Sequence, residues 1–333
     1  MLWRRLQTQG LEGDYVALIE VRDLATYCFT SKVTVNAVDG VDLEVGKGEM
    51  LGVVGESGSG KTTLALSILK LIEPPGRIVR GQILLNGEDI IPKSEDRMRH
   101  IRWKRISLIP QSAMNALNPV FRIGDQIAEP IMEHEQASKR EARQRARRLL
   151  ELVGIDPERE DSYPHELSGG MKQRAVIAMA LACGPEIVVA DEPTTGLDVM
   201  VQAQILGLLK DLQRKLGLSM IFISHDLPIV TEICDKIAVT YAGKVAEYSD
   251  TQSLFERPLH PYSKGLMEAF PSVKGPRRKV GSIPGSVPDL TNPPTGCRFH
   301  PRCPYAFELC VKVEPKLERV LSRRFSACHL EAR

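Results

Sequence analysis

Gly55-Glu56-Ser57-Gly58-Ser59-Gly60-Lys61-Thr62 follows directly on the apolar run Met50-Leu51-Gly52-Val53-Val54, and Leu64, Leu66, Ile68, Leu69 and Ile72 come after it at helical spacing. A buried strand ending at Val54, a glycine-rich turn and a helix starting near Gly60 have the form of a phosphate-binding P-loop. The glycines let the backbone turn tightly and aim its N–H groups inward at an anion. The helix N-terminus adds about half a positive charge toward the same point. In such a loop Lys61 reaches the β- and γ-phosphates, the Thr62 hydroxyl ligates the Mg²⁺ that bridges them, and Gly55, Ser57, Gly58, Gly60 and Thr63 complete the phosphate-binding set.

The remaining 333-residue chain is compositionally ordinary, 43% hydrophobic and 26% charged with a net charge of +2. That balance describes a soluble globular protein, and at about 100–200 residues per domain it holds one large core plus a smaller unit. Bulk charge gives no reason to expect nucleic acid or a membrane surface as partner. No run approaches the ~18 apolar residues of a membrane span, and Met1 to Gln7 lacks the apolar centre of a signal peptide, so the expected location is the cytoplasm. Residues 1 to about 15 read as a loose leader. Of seven cysteines, Cys297, Cys303, Cys310 and Cys328 crowd into the tail. In a reducing compartment that clustering suggests metal before disulfide.

Along the chain, the stretch from Ala17 and then Val35 to Val45 reads as strands of an antiparallel edge sheet, with turns at Asp39-Gly40 and Gly46-Lys47-Gly48. Tyr27 and Phe29 lie between these runs, and either ring could stack on an adenine base, a contact worth on the order of 1–3 kcal/mol, or simply fill the core. Gly81 to Gly87 forms a strand closed by an Asn-Gly turn, and Ile106 to Ile109 a buried strand followed by Pro110-Gln111. From about Ala113 to Tyr163 the pattern is helical. Within it, Ala137 to Val153 sets Arg140, Arg143, Arg145, Arg147 and Arg148 against an apolar stripe, a basic face expected to be solvated.

Leu167-Ser168-Gly169-Gly170 then opens an apolar helix, a second anion site built from free N–H groups, a positive dipole end and a capping hydroxyl. The consecutive glycines exceed what capping requires. The strand Ile187 to Ala190 ends in Asp191-Glu192, an acidic pair whose chemistry beside a P-loop is definite: Asp191 holds Mg²⁺ and Glu192 orients the attacking water. After a turn at Thr195 to Asp198 and a helix over Val201 to Leu216, a last core strand delivers His225 to the same edge, where ligands of open α/β sheets collect.

This order of motifs resembles the ATP-binding subunit of ABC transporters over about residues 17 to 250. The resemblance implies a RecA-like P-loop NTPase fold of the α/β class: an ABC nucleotide-binding domain with an antiparallel β subdomain and a helical subdomain at about 112–166. It implies that Gln111 touches Mg²⁺ and the attacking water, that His225 is the switch histidine, and that Tyr27 stacks on adenine. Ser168, Gly169 and Gly170 would bind the γ-phosphate of ATP held on an opposite subunit, and Asp198 would lie in the loop between the two sites. Ser112 to Ile131 would accept a coupling helix of a transmembrane subunit. The expected partners are a second, related ATP-binding subunit, two permease subunits and an extracytoplasmic solute-binding protein, at the cytoplasmic face of the membrane.

The tail, residues 251–333, resembles the C-terminal region of dipeptide and oligopeptide importer ATPases of the D-subunit kind, through His260-Pro261-Tyr262, Ile283-Pro284-Gly285 and Gly296-Cys297-Arg298-Phe299-His300-Pro301-Arg302-Cys303-Pro304. The stretch from 271 to 296 reads as a linker-like wrap. The cysteine spacing fits neither the short paired pattern of zinc sites nor the bacterial ferredoxin run. Resemblance to members of that subgroup implies a [4Fe–4S] cluster on Cys297, Cys303, Cys310 and Cys328; zinc, with His300 or His329, or free thiols are the alternatives. The expected function is ATP hydrolysis driving peptide import. Oligosaccharide or metal-ion import by the same subfamily is the near rival, and a soluble ABC protein acting on nucleic acid the distant one.

Overall fold

The structure, a computed structural model of the chain, describes residues 17–111, 116–269 and 283–331. The expected leader, the first residues of the block after Gln111 and the first part of the proline-rich stretch from 271 lie outside the described residues. Among the described residues, two sheets carry the fold. The smaller is antiparallel, order β2-β1-β4-β5, from β1 (Ala17–Phe29), β2 (Thr34–Gly46), β4 (Gly76–Leu85) and β5 (Glu88–Asp89). The larger comprises β3 (Met50–Val54), β6 (Ile106–Ile109), β7 (Ile187–Asp191), β8 (Ser219–Ser224), β9 (Lys236–Tyr241), β10 (Lys244–Asp250), β11 (Glu318–Leu321) and β12 (Arg324–Ser326). Its order is β11-β12-β10-β9-β3-β8-β7-β6, parallel from β9 to β6 and antiparallel beyond.

Alternation along the central strands divides the interior in two. Leu51 and Val53 of β3, Ile187 and Val189 of β7, and Ile221 and Ile223 of β8 enter one core, closed by the small sheet with α1 (Lys61–Ile68) and α2 (Glu95–Ile101). Met50 and Val54, Val188 and Ala190, and Met220 and Phe222 enter the other. That core is shared with α3 (Ile123–Glu135), α4 (Lys139–Leu152), α5 (Gly169–Ala180), α6 (Val199–Leu216) and α7 (Leu227–Ile233). Strands buried on both faces are what a parallel sheet covered by helices requires.

Two details differ from the sequence expectation, and a third is one it did not address. The P-loop helix is shorter than its apolar spacing suggests: the chain turns at Lys70, φ 51°, so Ile72 lies beyond it and Leu66 is only half-buried. The basic face of α4 is not merely solvated. Arg143 bonds Asp125 and Asp161 at 2.7 Å each, Arg147 bonds Glu160 at 2.8 Å, and Arg145 reaches Glu135 and the Ala182 carbonyl. These pairs tie α4 to α3 and to the turn at Pro157–Asp161. Finally, the tail joins the main sheet. After α8 (Thr251–Glu256), α9 (Pro261–Glu268) and α10 (Glu308–Lys312), strand β12 pairs Phe325 with Tyr248 of β10 and extends the main sheet.

The two sheets meet where Glu44 of β2 lies 3.9 Å from Lys236 of β9, itself 2.8 Å from Glu49. Burial pushes the Glu44 carboxyl up to about 7, with Lys236 opposing the rise. A carboxyl raised on folding is bound to its proton more tightly in the folded chain, so its contribution is present below the ordinary 4.5 and is lost as pH rises through about 7. Glu44→Gln is therefore expected to raise the melting temperature at pH 8 and to leave it nearly unchanged at pH 4. The same shift at both pH values would contradict this assignment. In β3, a Cβ on Gly52 would lie 2.1 Å from Val230 Cγ1 on α7. Gly52→Ala should cost about 1–3 kcal/mol in denaturant unfolding, and a neutral result would mean that α7 can retreat.

Candidate active site

Four adjacent parallel strands, β3, β8, β7 and β6, deliver their C-terminal ends to one edge of the sheet. The P-loop leaves β3, His225 leaves β8, Asp191-Glu192 ends β7 and Gln111 follows β6, so the expected hydrolytic residues converge because register alone places them there.

The loop itself is shaped by close approach. Gly60 caps α1 at φ 94°, and a Cβ there would meet the Ala37 carbonyl oxygen at 2.0 Å. Gly58, φ 80°, faces open space with exposed Ser57 beside it, leaving the crest of the loop clear for an anion. Lys61 is 6% exposed and donates to the carbonyls of Gly55 at 2.8 Å and Glu56 at 3.0 Å. Burial lowers its pKa, opposed by Glu192, Asp191 and Glu56.

Asp191 is 3% exposed. Burial pushes its carboxyl up, and a hydrogen bond from Thr62 opposes the rise. Its Oδ1 is buried without a hydrogen-bond partner. An orphaned carboxylate oxygen beside a threonine hydroxyl is a hard-oxygen pair of the kind Mg²⁺ takes, so these two residues fit the ion. Glu192 stands in the left-handed region at φ 46°, a strain of about 1–3 kcal/mol for a non-glycine residue. Its N–H donates to the Ile223 carbonyl at 2.9 Å. Its carboxylate is held by Gln111 Nε2 at 3.2 Å, by the Thr195 hydroxyl at 2.9 Å and by His225 Nδ1 at 3.2 Å.

A second group stands apart. Ser168 caps α5, accepting from Met171 N, and Asp198 caps α6, accepting from Val201 N. A Cβ on Gly170 would lie 2.8 Å from Val201 Cγ1, so the second glycine of the signature has a packing reason beyond capping, the approach of α5 to α6. Among the described residues no hydrogen bond ties Ser168, Gly169 or Gly170 to the P-loop.

Tyr27 and Phe29 share one face of β1. Thr26 faces α1, its hydroxyl 2.7 Å from Ser67 Oγ, and strand alternation turns Tyr27 and Phe29 to the opposite face, with ring centroids 6.3 Å apart. There the Tyr27 hydroxyl donates to Asp39 and accepts from Arg80, while Arg77 lies over the Phe29 ring at 4.2 Å.

Several residues of the site escaped sequence reading. Thr195 was passed over as a turn residue, although a hydroxyl three positions beyond a strand-end glutamate is within reach of it. Thr240 of β9 accompanies Ser59 at 3.1 Å and donates to the Val54 carbonyl at 2.9 Å, contacts no local pattern announces. Glu56 has no role that the loop pattern announces, yet Arg302 holds it from the tail.

The tail cysteines do come together. Cys297, Cys303, Cys310 and Cys328 line one cavity with His260, Phe299, His300 and His329. Burial pushes the Cys297 and Cys328 thiols up to about 11 and raises Cys303. One ring nitrogen of His300 and one of His329 face backbone carbonyls at 2.9 Å. Among the described residues no group of three or more His, Cys, Asp or Glu side chains is set to hold a metal ion, so the expected ligands are gathered but not closed into a coordination shell.

Comparison with known proteins places this geometry. Residues 38–195 match the ABC transporter family, and residues 246–310 match the oligopeptide/dipeptide transporter C-terminal region. The chain is 48% identical over 307 residues to the oligopeptide transport ATP-binding protein OppD of Bacillus subtilis, covering 91% of this chain and 86% of that protein. It is 44% identical over 316 residues to the dipeptide transport ATP-binding protein DppD of Escherichia coli, covering 94% and 97%. Among solved structures, the ATP-binding cassette MJ0796 in a dimeric post-hydrolysis state with ADP and Pi superposes with a TM-score of 0.63 at 26% identity, covering 70% of this chain and 98% of that one. With a P-loop, an acidic strand end, a histidine against its glutamate and relatives matched over most of their length, the chain belongs to the ATP-binding subunits of ABC transporters and is an ABC-type ATPase.

Proposed function

We propose that this subunit hydrolyses Mg-ATP to drive import of dipeptides or oligopeptides, and the observation that carries the reading is the Glu192 carboxylate held at one point by Gln111, Thr195 and His225 beside the P-loop. Lys61 and the loop N–H groups bind and orient the β- and γ-phosphates, and Glu192 takes a proton from the attacking water as it lines up with the γ-phosphorus. His225 and Gln111 keep that carboxylate aimed and sense the γ-phosphate. Thr62 and Asp191 would hold Mg²⁺, which supplies charge neutralisation between the two phosphates when bound.

Ser168, Gly169 and Gly170 would complete the site of a second, related ATP-binding subunit, with Asp198 between the two. The separation of this signature from the chain's own P-loop supports that arrangement. We read 17–250 as the cassette and 251–333 as its appended region. The exposed Val120 and Phe121, ahead of α3, belong to the stretch that would receive a coupling helix from one of two permease subunits fed by a solute-binding protein. No helix among the described residues is long and apolar enough to cross a membrane. The reading is of a subunit attached to the cytoplasmic face through its permease partners. The peptide cargo is supported by what the relatives are called and by the matched tail region.

For the tail we propose a [4Fe–4S] cluster on the four cysteines. The convergence of the four cysteines on one cavity supports the reading.

Glu192→Gln is expected to lower turnover by about 10²–10⁴-fold while ATP still binds and traps a dimer; undiminished hydrolysis would remove Glu192 from its role. Protein purified without oxygen should contain about four irons and four acid-labile sulfides per chain, both lost in the C303S/C310S variant. Zinc in their place, or no metal, would overturn the cluster and leave the ATPase untouched.

A further inference from the structure

Glu56, the second residue of the P-loop, is gripped from outside the loop at two points. Arg302 donates Nη1 to Glu56 Oε2 at 2.7 Å and Nη2 to Oε1 at 3.1 Å, a bidentate pair in which the arginine side chain is 5% exposed. The Glu56 N–H donates to the hydroxyl of Tyr262, at the start of α9, at 2.9 Å. The Glu56 carbonyl in turn accepts from Ser59 N at 3.2 Å and from the Lys61 ammonium at 3.0 Å. One residue therefore joins the tail to the turn of the loop and to the phosphate-binding lysine.

Arg302 is itself fixed. Its Nε donates to the Pro284 carbonyl at 2.8 Å and its Nη1 to the Tyr241 hydroxyl at 3.3 Å. Burial of an arginine without partners is costly, and every direction of this guanidinium's fork is taken. A second strut runs alongside: Arg298 bonds Asp39 and the Ala242 carbonyl, and Gly243 N donates to the Ser59 carbonyl at 3.0 Å.

We propose that Arg302 is a positioning residue for ATP binding, a brace from the tail that holds Glu56, and through it the P-loop turn and Lys61, in phosphate-binding geometry. The fork matches a carboxylate in two places at once, so it fixes orientation as well as distance, which a lysine at the same position does not. The inference rests on the P-loop being the ATP site. It makes the tail a part of the nucleotide site, independent of what the cysteines bind.

The test is nucleotide affinity of the full chain, measured with a fluorescent ATP analogue and Mg²⁺, alongside the KM and kcat of hydrolysis. Arg302→Met is expected to weaken binding and raise KM roughly tenfold while kcat stays within about twofold, since the lost contact serves ground and transition states alike. Combining it with Glu56→Gln should weaken binding no further than Glu56→Gln does alone. Arg302→Lys, which keeps the charge and loses the fork, should fall between wild type and Met, and it carries the test if the Met variant fails to fold. Wild-type affinity in folded Arg302→Met or Arg302→Lys, or full additivity with Glu56→Gln, would overturn the brace. Failure of the wild-type chain to bind the analogue would instead overturn the ATP site itself.

Discussion

Strand β3 lies between parallel partners β8 and β9 and is buried on both faces, so the backbone that leaves Val54 has no freedom of direction. The rest of the site depends on that constraint. A phosphate-binding loop works only if its N–H groups already converge before the anion arrives, because ordering a free glycine-rich turn would consume much of the binding energy. Here Gly60 is pressed against Ala37 and the loop is anchored at Ser59, Glu56 and Gly55 by strands and tail. The glycines that make the turn possible are thus denied the freedom they would otherwise have.

The same edge of the sheet concentrates negative charge beside a lysine. Asp191 and Glu192 each hold the Lys61 proton against burial, while Asp191 itself is raised by burial and keeps one oxygen unpartnered. Such an arrangement is poor as pure structure and apt for a divalent cation with a triphosphate, which supplies charge of the opposite sign where each side lacks it. The strained backbone of Glu192 belongs to the same logic. A left-handed turn swings its carboxylate into reach of three side chains from three different segments, a position that an extended strand end would not give.

The tail is bound into the cassette at two places. β12 extends the main sheet, and the Arg298–Arg302 segment leans on the P-loop and on β2. Tyr241, Tyr262 and Phe299 pack edge to face or tilted between the cysteine cavity and the loop, with centroids 4.6–5.4 Å apart. The cavity wall and the floor of the nucleotide site are therefore two sides of one aromatic cluster.

The amino-acid order by itself determined the P-loop, the acidic strand end, the signature helix, the histidine and the cysteine group, because each is a local pattern in which a few neighbours set backbone conformation and chemistry together. The order of those motifs also carries the resemblance that implied the class of the fold, while the alternation of apolar runs with helical periods is what a sheet covered by helices requires. Tertiary structure alone decided the remainder. Arg302 reaches Glu56 across 246 positions of sequence, Tyr27 turns away from α1 because one residue of strand register reverses a side chain, and Gly170 is needed by Val201 on another helix. The arginines of α4 likewise look solvated until the acids of α3 and the following turn fold beside them. Motifs are legible because their chemistry is contiguous; braces, faces and close approaches are not, because they exist only once distant segments are packed.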